Sequence, residues 1–138
     1  MRIIGLLTIV VLLQGCTVSQ NVIPVPRADI AEITIIENPA VQSTFLDAVK
    51  AAVEEQGIKT QVGPPLAPPE DYPYAMTYTA NWAWDITIYM VYAELSVFER
   101  DKVIGKAVYD CRRGGYRMDK FINAESKVKE LVGELFGK

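Results

Sequence analysis

The sequence predicts an α+β fold, a two-layer sandwich in which a mixed sheet of about five strands carries two helices on one face, in the order β-α-β-β-β-β-α. Three observations lead there. Apolar and polar residues alternate along 30–36 and across most of 74–112, the two-residue period of half-buried strands. They recur at three- and four-residue spacing over 39–56 and again from Asn123 onward, the period of amphipathic helices. One sheet with both helices on the same side satisfies this order with the fewest assumptions.

The chain begins with Met1-Arg2, one positive charge ahead of the apolar segment Ile3 to Leu13. As a helix, its eleven residues reach only about 16 Å, roughly half the hydrocarbon thickness of a bilayer. That is too short for a membrane span and suits the core of a signal peptide. Leu13, Gln14, Gly15 and Cys16 follow directly. This run resembles the lipobox of bacterial lipoprotein signal peptides. The resemblance covers residues 1 to 16. It implies diacylglyceryl transfer to the Cys16 sulfur, cleavage after Gly15 and N-acylation of the new terminus, with palmitate among the chains. Thr17, where an Asp would retain such a protein, implies an outer-membrane anchor facing the periplasm. Two or three acyl chains, at about 0.8 kcal/mol per buried CH₂, hold a protein on a membrane far better than one.

The expected organisation is a leader over 1–15, the lipidated cysteine and a flexible tether over 16–29, and a single α+β domain over 30–138. Loss of 15 of the 138 residues leaves 123, enough for one core. Arg2 leaves with the leader, so 13 basic residues face 17 acidic ones and the formal charge goes from −3 to −4. A mildly acidic domain has no electrostatic case for nucleic acid. The chain has no histidine, which removes the commonest general base and the commonest metal ligand together. No enzyme activity, metal or cofactor is expected.

Residues 17–28 contain two prolines and no usable period, and read as an extended tether. Ile30 to Ile36 alternates and makes a first strand. Asn38-Pro39 reads as a helix start, with Asn at the cap and Pro at the first helical position. Val41, Phe45, Leu46, Val49, Ala52 and Val53 mark the buried stripe, and Gly57 the stop. Ile58 to Val62 is a short second strand, making a strand-helix-strand unit that would be right-handed if parallel. Gly63 to Pro73 holds five prolines and reads as a stiff surface loop.

Tyr74 to Gly115 reads as a three-stranded antiparallel meander. The first of its strands covers about 74–82, with Met76, Tyr78, Ala80 and Trp82 on one face. A turn near Ala83-Trp84-Asp85 leads into a second strand over about 86–98. There Tyr89, Val91, Ala93, Leu95 and Val97 form one apolar face, the expected centre of the core. Glu99-Arg100-Asp101-Lys102 turns the chain into a third strand from Val103 to about Arg112. Asn123 caps the closing helix, whose stripe is Ala124, Val128, Leu131, Val132 and Leu135, with Glu125 and Lys129 as an i,i+4 pair.

Cys111 is the one thiol not committed to lipid, so no internal disulfide is possible. Its alternation with Ala107 and Tyr109 favours a buried small hydrophobe. Three sets of residues invite recognition chemistry. Trp82, Trp84 and Asp85, with Tyr89 nearby, form a candidate platform for a glycan such as peptidoglycan, because sugar rings stack on aromatic faces and sugar hydroxyls bond a carboxylate. Arg112-Arg113-Gly114-Gly115 offers charge and backbone N–H groups to an anion, although a solvated strand end accounts for it as well. Ile88, Met90, Tyr92 and Phe98 are expected on the face of the sheet away from the helices, where an apolar patch would mark a homo-oligomer or envelope-partner interface.

The Trp82, Trp84, Asp85 cluster, the Tyr109-Asp110 strand end and the amphipathic C-terminal helix together resemble small, poorly characterised bacterial envelope lipoproteins. By element order alone, 30–137 is also similar to the domain shared by lipoprotein activators of cell-wall synthases and the amino-terminal domain of the Tol-system propeller protein. The function expected is therefore a lipid-anchored, non-catalytic interaction or scaffold module of the cell envelope, with peptidoglycan or glycan binding as the alternative.

Overall fold

The computed structural model describes residues 18–26, 29–85, 87–113 and 123–137. The expected leader over 1–15 and the expected lipidation motif Leu13, Gln14, Gly15 and Cys16 lie outside the described residues, as do Gly114 and Gly115. Six strands form one sheet: β1 (Ser19–Ile23), β2 (Glu32–Ile36), β3 (Lys59–Gly63), β4 (Tyr74–Asp85), β5 (Thr87–Glu99) and β6 (Lys102–Asp110). Helix α1 (Ser43–Glu55) connects β2 to β3, and α2 (Ala124–Leu135) follows β6. The strand order is β1-β6-β5-β4-β2-β3. β2 runs parallel to both β3 and β4, and the other pairs are antiparallel, so the sheet is mixed.

Both helices cover one face. The Phe45 ring of α1 meets Tyr78 and Trp82 of β4, at centroid distances of 5.7 and 5.9 Å. Over β6, a Cβ at Gly105 would stand 3.2 Å from the Leu135 side chain of α2. Ile33, Ile35, Met76, Leu95, Val97, Ala107 and Tyr109 on the sheet pack against Val49, Val53, Val128, Leu131, Val132 and Leu135 on the helices. The two-layer α+β reading holds, with six strands where about five were expected.

The sixth strand is a correction. Part of the stretch expected to be a tether, Ser19–Ile23, pairs along the whole of its length with β6. Only Val22 of this strand is even half-buried, so its apolar period is too weak to read. What recruits it is the row of unpaired N–H and C=O groups that β6 would otherwise expose as an edge. Val25, just beyond it, donates its backbone N–H to the Leu135 carbonyl at 2.8 Å and ties the N-terminal stretch to the end of α2.

The start of α1 is a second correction. Asn38 does not cap it. The Asn38 side chain accepts from the Ala40 N–H at 3.0 Å and donates to the Tyr78 carbonyl, also at 3.0 Å, and the Asn38 N–H donates to the Tyr78 hydroxyl. Asn38-Pro39 is thus a turn pinned to β4, and the helix begins four residues later than a Pro39 start, after Gln42, which makes no side-chain cap. Gly57 does end it, at φ +82°. For α2 the cap is as expected: the Asn123 side chain accepts from the Ser126 N–H at 3.1 Å. Lys129 pairs with Glu55 across the helices at 3.4 Å, where an intrahelical bond to Glu125 was expected.

Candidate functional site

The features of interest gather at the end of the sheet where β4 turns into β5. Asp85 opposes Thr87, so β4 runs three residues beyond the expected end of its strand. Along β4 the alternation is unbroken, which puts Trp82 and Trp84 on the helix-covered side with Met76, Tyr78 and Ala80. β5 is not regular. Asn81 opposes Tyr92 while Trp82 opposes Met90, so Val91 is an extra residue, a β-bulge. Below it the inward and outward faces of β5 exchange.

The bulge overturns the expected apolar patch. Met90, opposite Trp82, is buried at 1 % exposure, and Ile88, opposite Trp84, is on that same helix-side face. Tyr92 and Phe98 are half-buried on the other face. The four residues therefore form no common surface. Tyr89, expected in the core, is displaced to the open face and only half-buried. A bulge leaves no mark on alternating apolar residues when both faces are apolar, as they are here.

The hairpin is longer than the helices that cover it. Trp82 is half-buried, its indole edge-on to Phe45 with an interplanar angle of 88°. One step further, Trp84 is 75 % exposed and its cross-strand partner Ile88 is 66 % exposed. The side chain of Asp85 lies outside what is described. Beside Trp82, a crevice of about 450 Å³ opens between the starts of the two helices, walled by Phe45, Ala48 and Ala51 and rimmed by Gln42, Asp47 and Glu125. An aromatic wall with amides and carboxylates at its rim has the composition of a sugar-binding site.

The open face of the sheet is polar where the apolar patch was expected. The Tyr92 hydroxyl donates to Glu94 at 2.5 Å, and Lys106 of β6 pairs with the other Glu94 oxygen at 3.1 Å. Arg112 grips Asp110 with two nitrogens, at 3.0 and 2.7 Å, and lays its guanidinium 4.6 Å from the centroid of the Tyr92 ring. The hydrogen bond to Glu94 pushes the Tyr92 phenol up to about 12. The same bond, with Lys106 adding to it, holds the Glu94 carboxyl below its ordinary value. Arg112 does likewise for Asp110. Of this cluster the sequence shows only the pair Tyr92 and Glu94, which share a strand face by the pleat; Arg112 lies past the end of β6 and turns back to Asp110.

A second network joins β1 to α2. Lys127, only 7 % exposed, donates from Nζ to Gln20 and to Glu130, each at 2.8 Å, and sits 4.9 Å from the centroid of the Tyr109 ring. The Gln20 amide in turn donates to Glu134 at 3.0 Å. Cys111 is buried and free, and its thiol donates to the Met90 carbonyl at 3.3 Å. Among the described residues no group of three or more Cys, Asp or Glu residues is placed to hold a metal ion.

No family model and no curated protein matches the chain. Solved structures do. The chain is similar to PelC from Paraburkholderia phytofirmans, crystallised as a dodecamer, with a TM-score of 0.52 and 11 % identity over 86 % of this chain and 95 % of that one. A single-substitution variant of the same dodecamer gives 0.53 and 10 %, over 85 % and 94 %. At that identity the likeness is one of fold, and it extends over nearly the whole of the PelC chain.

Proposed function

We propose that the protein is a lipid-anchored, non-catalytic interaction module of the bacterial cell envelope, held at the outer membrane through Cys16 and working as a homo-oligomer. The observation that carries this reading is the shared fold: a chain of nearly the same extent assembles into a dodecamer, and the lipobox at Leu13 to Cys16 supports a membrane-bound setting for this one. The sheet ends in two edge strands, β1 and β3, and edge strands are surfaces through which copies of a chain can pair. Mass measurement of the detergent-extracted lipoprotein tests the assembly; a monomer at every concentration would sink it. Labelling with a radioactive fatty acid tests the anchor, and label retained by Cys16→Ser would refute it.

The crevice beside Trp82 favours a second reading, glycan binding. The indole and Phe45 supply the apolar wall and Asp47, Gln42 and Glu125 the hydrogen-bonding rim. Retention on purified peptidoglycan that is lost in Trp82→Phe with Asp47→Ala would support it, and retention unchanged in that double variant would exclude this crevice.

A further inference from the structure

We propose that the tip of the β4–β5 hairpin, with Trp84 and Ile88, seats in the head-group layer of the same membrane that holds Cys16, and so fixes the orientation of the anchored domain. The inference rests on the lipid-anchor reading above and adds a second contact to it. Strand register carries the argument. Ser19 opposes Asp110, Asp110 opposes Tyr92, and Tyr92 opposes Asn81, so the N-terminal end of β1 and the hairpin tip lie at the same end of the sheet. Beyond the level of Tyr92, three pleat positions lead to Ile88, about 10 Å at roughly 3.3 Å per residue. Cys16 precedes Ser19 by three residues, which also span at most about 10 Å. With two strand spacings between β1 and β5, roughly 10 Å, an acylated Cys16 cannot draw away from the tip by more than a short distance.

The pairing of β1 is what makes this binding. A free stretch of twelve residues would let the domain stand well off the lipid, whereas a stretch zipped to β6 from Ser19 onward holds it close. The chemistry of the tip suits the place it is brought to. Trp combines an apolar ring with an N–H donor and favours the membrane–water interface, and Ile88 beside it adds a purely apolar contact. Arg112 and Arg113 share a shallow pocket with Ser19 and Asp110. Asp110 already engages Arg112, and Arg113 brings a further positive charge beside it, next to where lipid phosphates would be. The acyl chains supply the affinity, and the tip supplies the tilt.

The test uses full-length lipidated protein in vesicles of phosphatidylethanolamine and phosphatidylglycerol. The chain has two tryptophans, so Trp82→Phe leaves Trp84 as the sole indole while keeping a ring against Phe45. The expected result is a blue shift of Trp84 emission on reconstitution and quenching by lipids brominated near the head group. Wild type compared with Trp84→Phe gives the same signal by difference, should Trp82→Phe fold poorly. Vesicle flotation without lipid quenching, and with full quenching by aqueous acrylamide, overturns the proposal and leaves the anchor standing. Protection from both quenchers also overturns it, in favour of a second copy covering the tip. Flotation unchanged in Cys16→Ser removes the anchor reading itself.

Discussion

Gln20 of β1 accepts a hydrogen bond from the buried ammonium of Lys127 on α2, at 2.8 Å. Residues at opposite ends of the described chain thereby close the sheet edge against the second helix. Lys127 also depends on Glu130, whose carboxyl its hydrogen bond holds below the ordinary range. Gln20→Ala should cost about 1.5–3 kcal/mol, the range for a bond to a charged group. Denaturant unfolding measures it, and hydrogen exchange should quicken first at the β6 amides that β1 covers. Uniform exchange across the sheet would mean that β1 is not locked by this contact.

Gly105 tests the path of the stretch after β1. A Cβ there would stand 2.5 Å from the Val25 side chain and 3.2 Å from the Val25 nitrogen and from Leu135. Gly105→Ala should destabilise by about 1–3 kcal/mol through overpacking. Thermal unfolding would show it. Adding Val25→Ala should recover part of the loss, because it removes the nearest clashing methyl.

The bulge at Val91 assigns opposite fates to two residues of similar hydrophobicity. Met90→Ala should cost about 2–5 kcal/mol as a core truncation. Ile88→Ser, on the projecting tip, should change stability by less than about 0.5 kcal/mol. Equal effects in a denaturant titration would place both residues on one surface and refute the register at Trp82 and Met90.

Tyr92 and Glu94 define the pH behaviour of the open face. A phenol raised from 10.0 to about 12 in the folded state contributes stability that is complete below pH 10 and is lost as the pH climbs towards 12. Tyrosinate absorbance should show a late-titrating group that disappears in Tyr92→Phe. Glu94 acts in the opposite direction: with its folded pKa depressed below 4.5, its contribution is present above that value and lost as the pH falls through the folded one. Glu94→Gln should flatten the acid limb of the stability curve.

Cys111 should resist a maleimide under native conditions, since its thiol is buried and bonded to the Met90 carbonyl. Labelling should become complete in denaturant. Rapid labelling of the folded protein would show that the β5–β6 end opens readily.

Much of the architecture was legible without coordinates. Periodicity alone separates the helices from the strands, because a helix stripe and a strand face repeat at different intervals, and Gly57 and Asn123 mark helix ends by local backbone chemistry. The buried state of Cys111 follows from its alternation with Ala107 and Tyr109. What stayed hidden depended on partners distant in the chain. Asn38 carries the residue type of a cap but spends its hydrogen bonds on Tyr78. Ser19–Ile23 has no period of its own and becomes a strand because β6 offers an edge.

The sequence by itself determined the fold class, both helices and the strands from Glu32 onward, since their periods are written in residues close together in the chain; the strand Ser19–Ile23 it did not show. Only the tertiary structure decided which residues share a surface. A single extra residue at Val91 exchanged the faces of β5 on its hairpin side, buried Met90 and left Ile88 beside Trp84 on a projecting tip, while Tyr92 and Glu94 kept the open face. A strand has two faces of nearly equal claim when both are apolar, and the choice between them is made by the register of its neighbour.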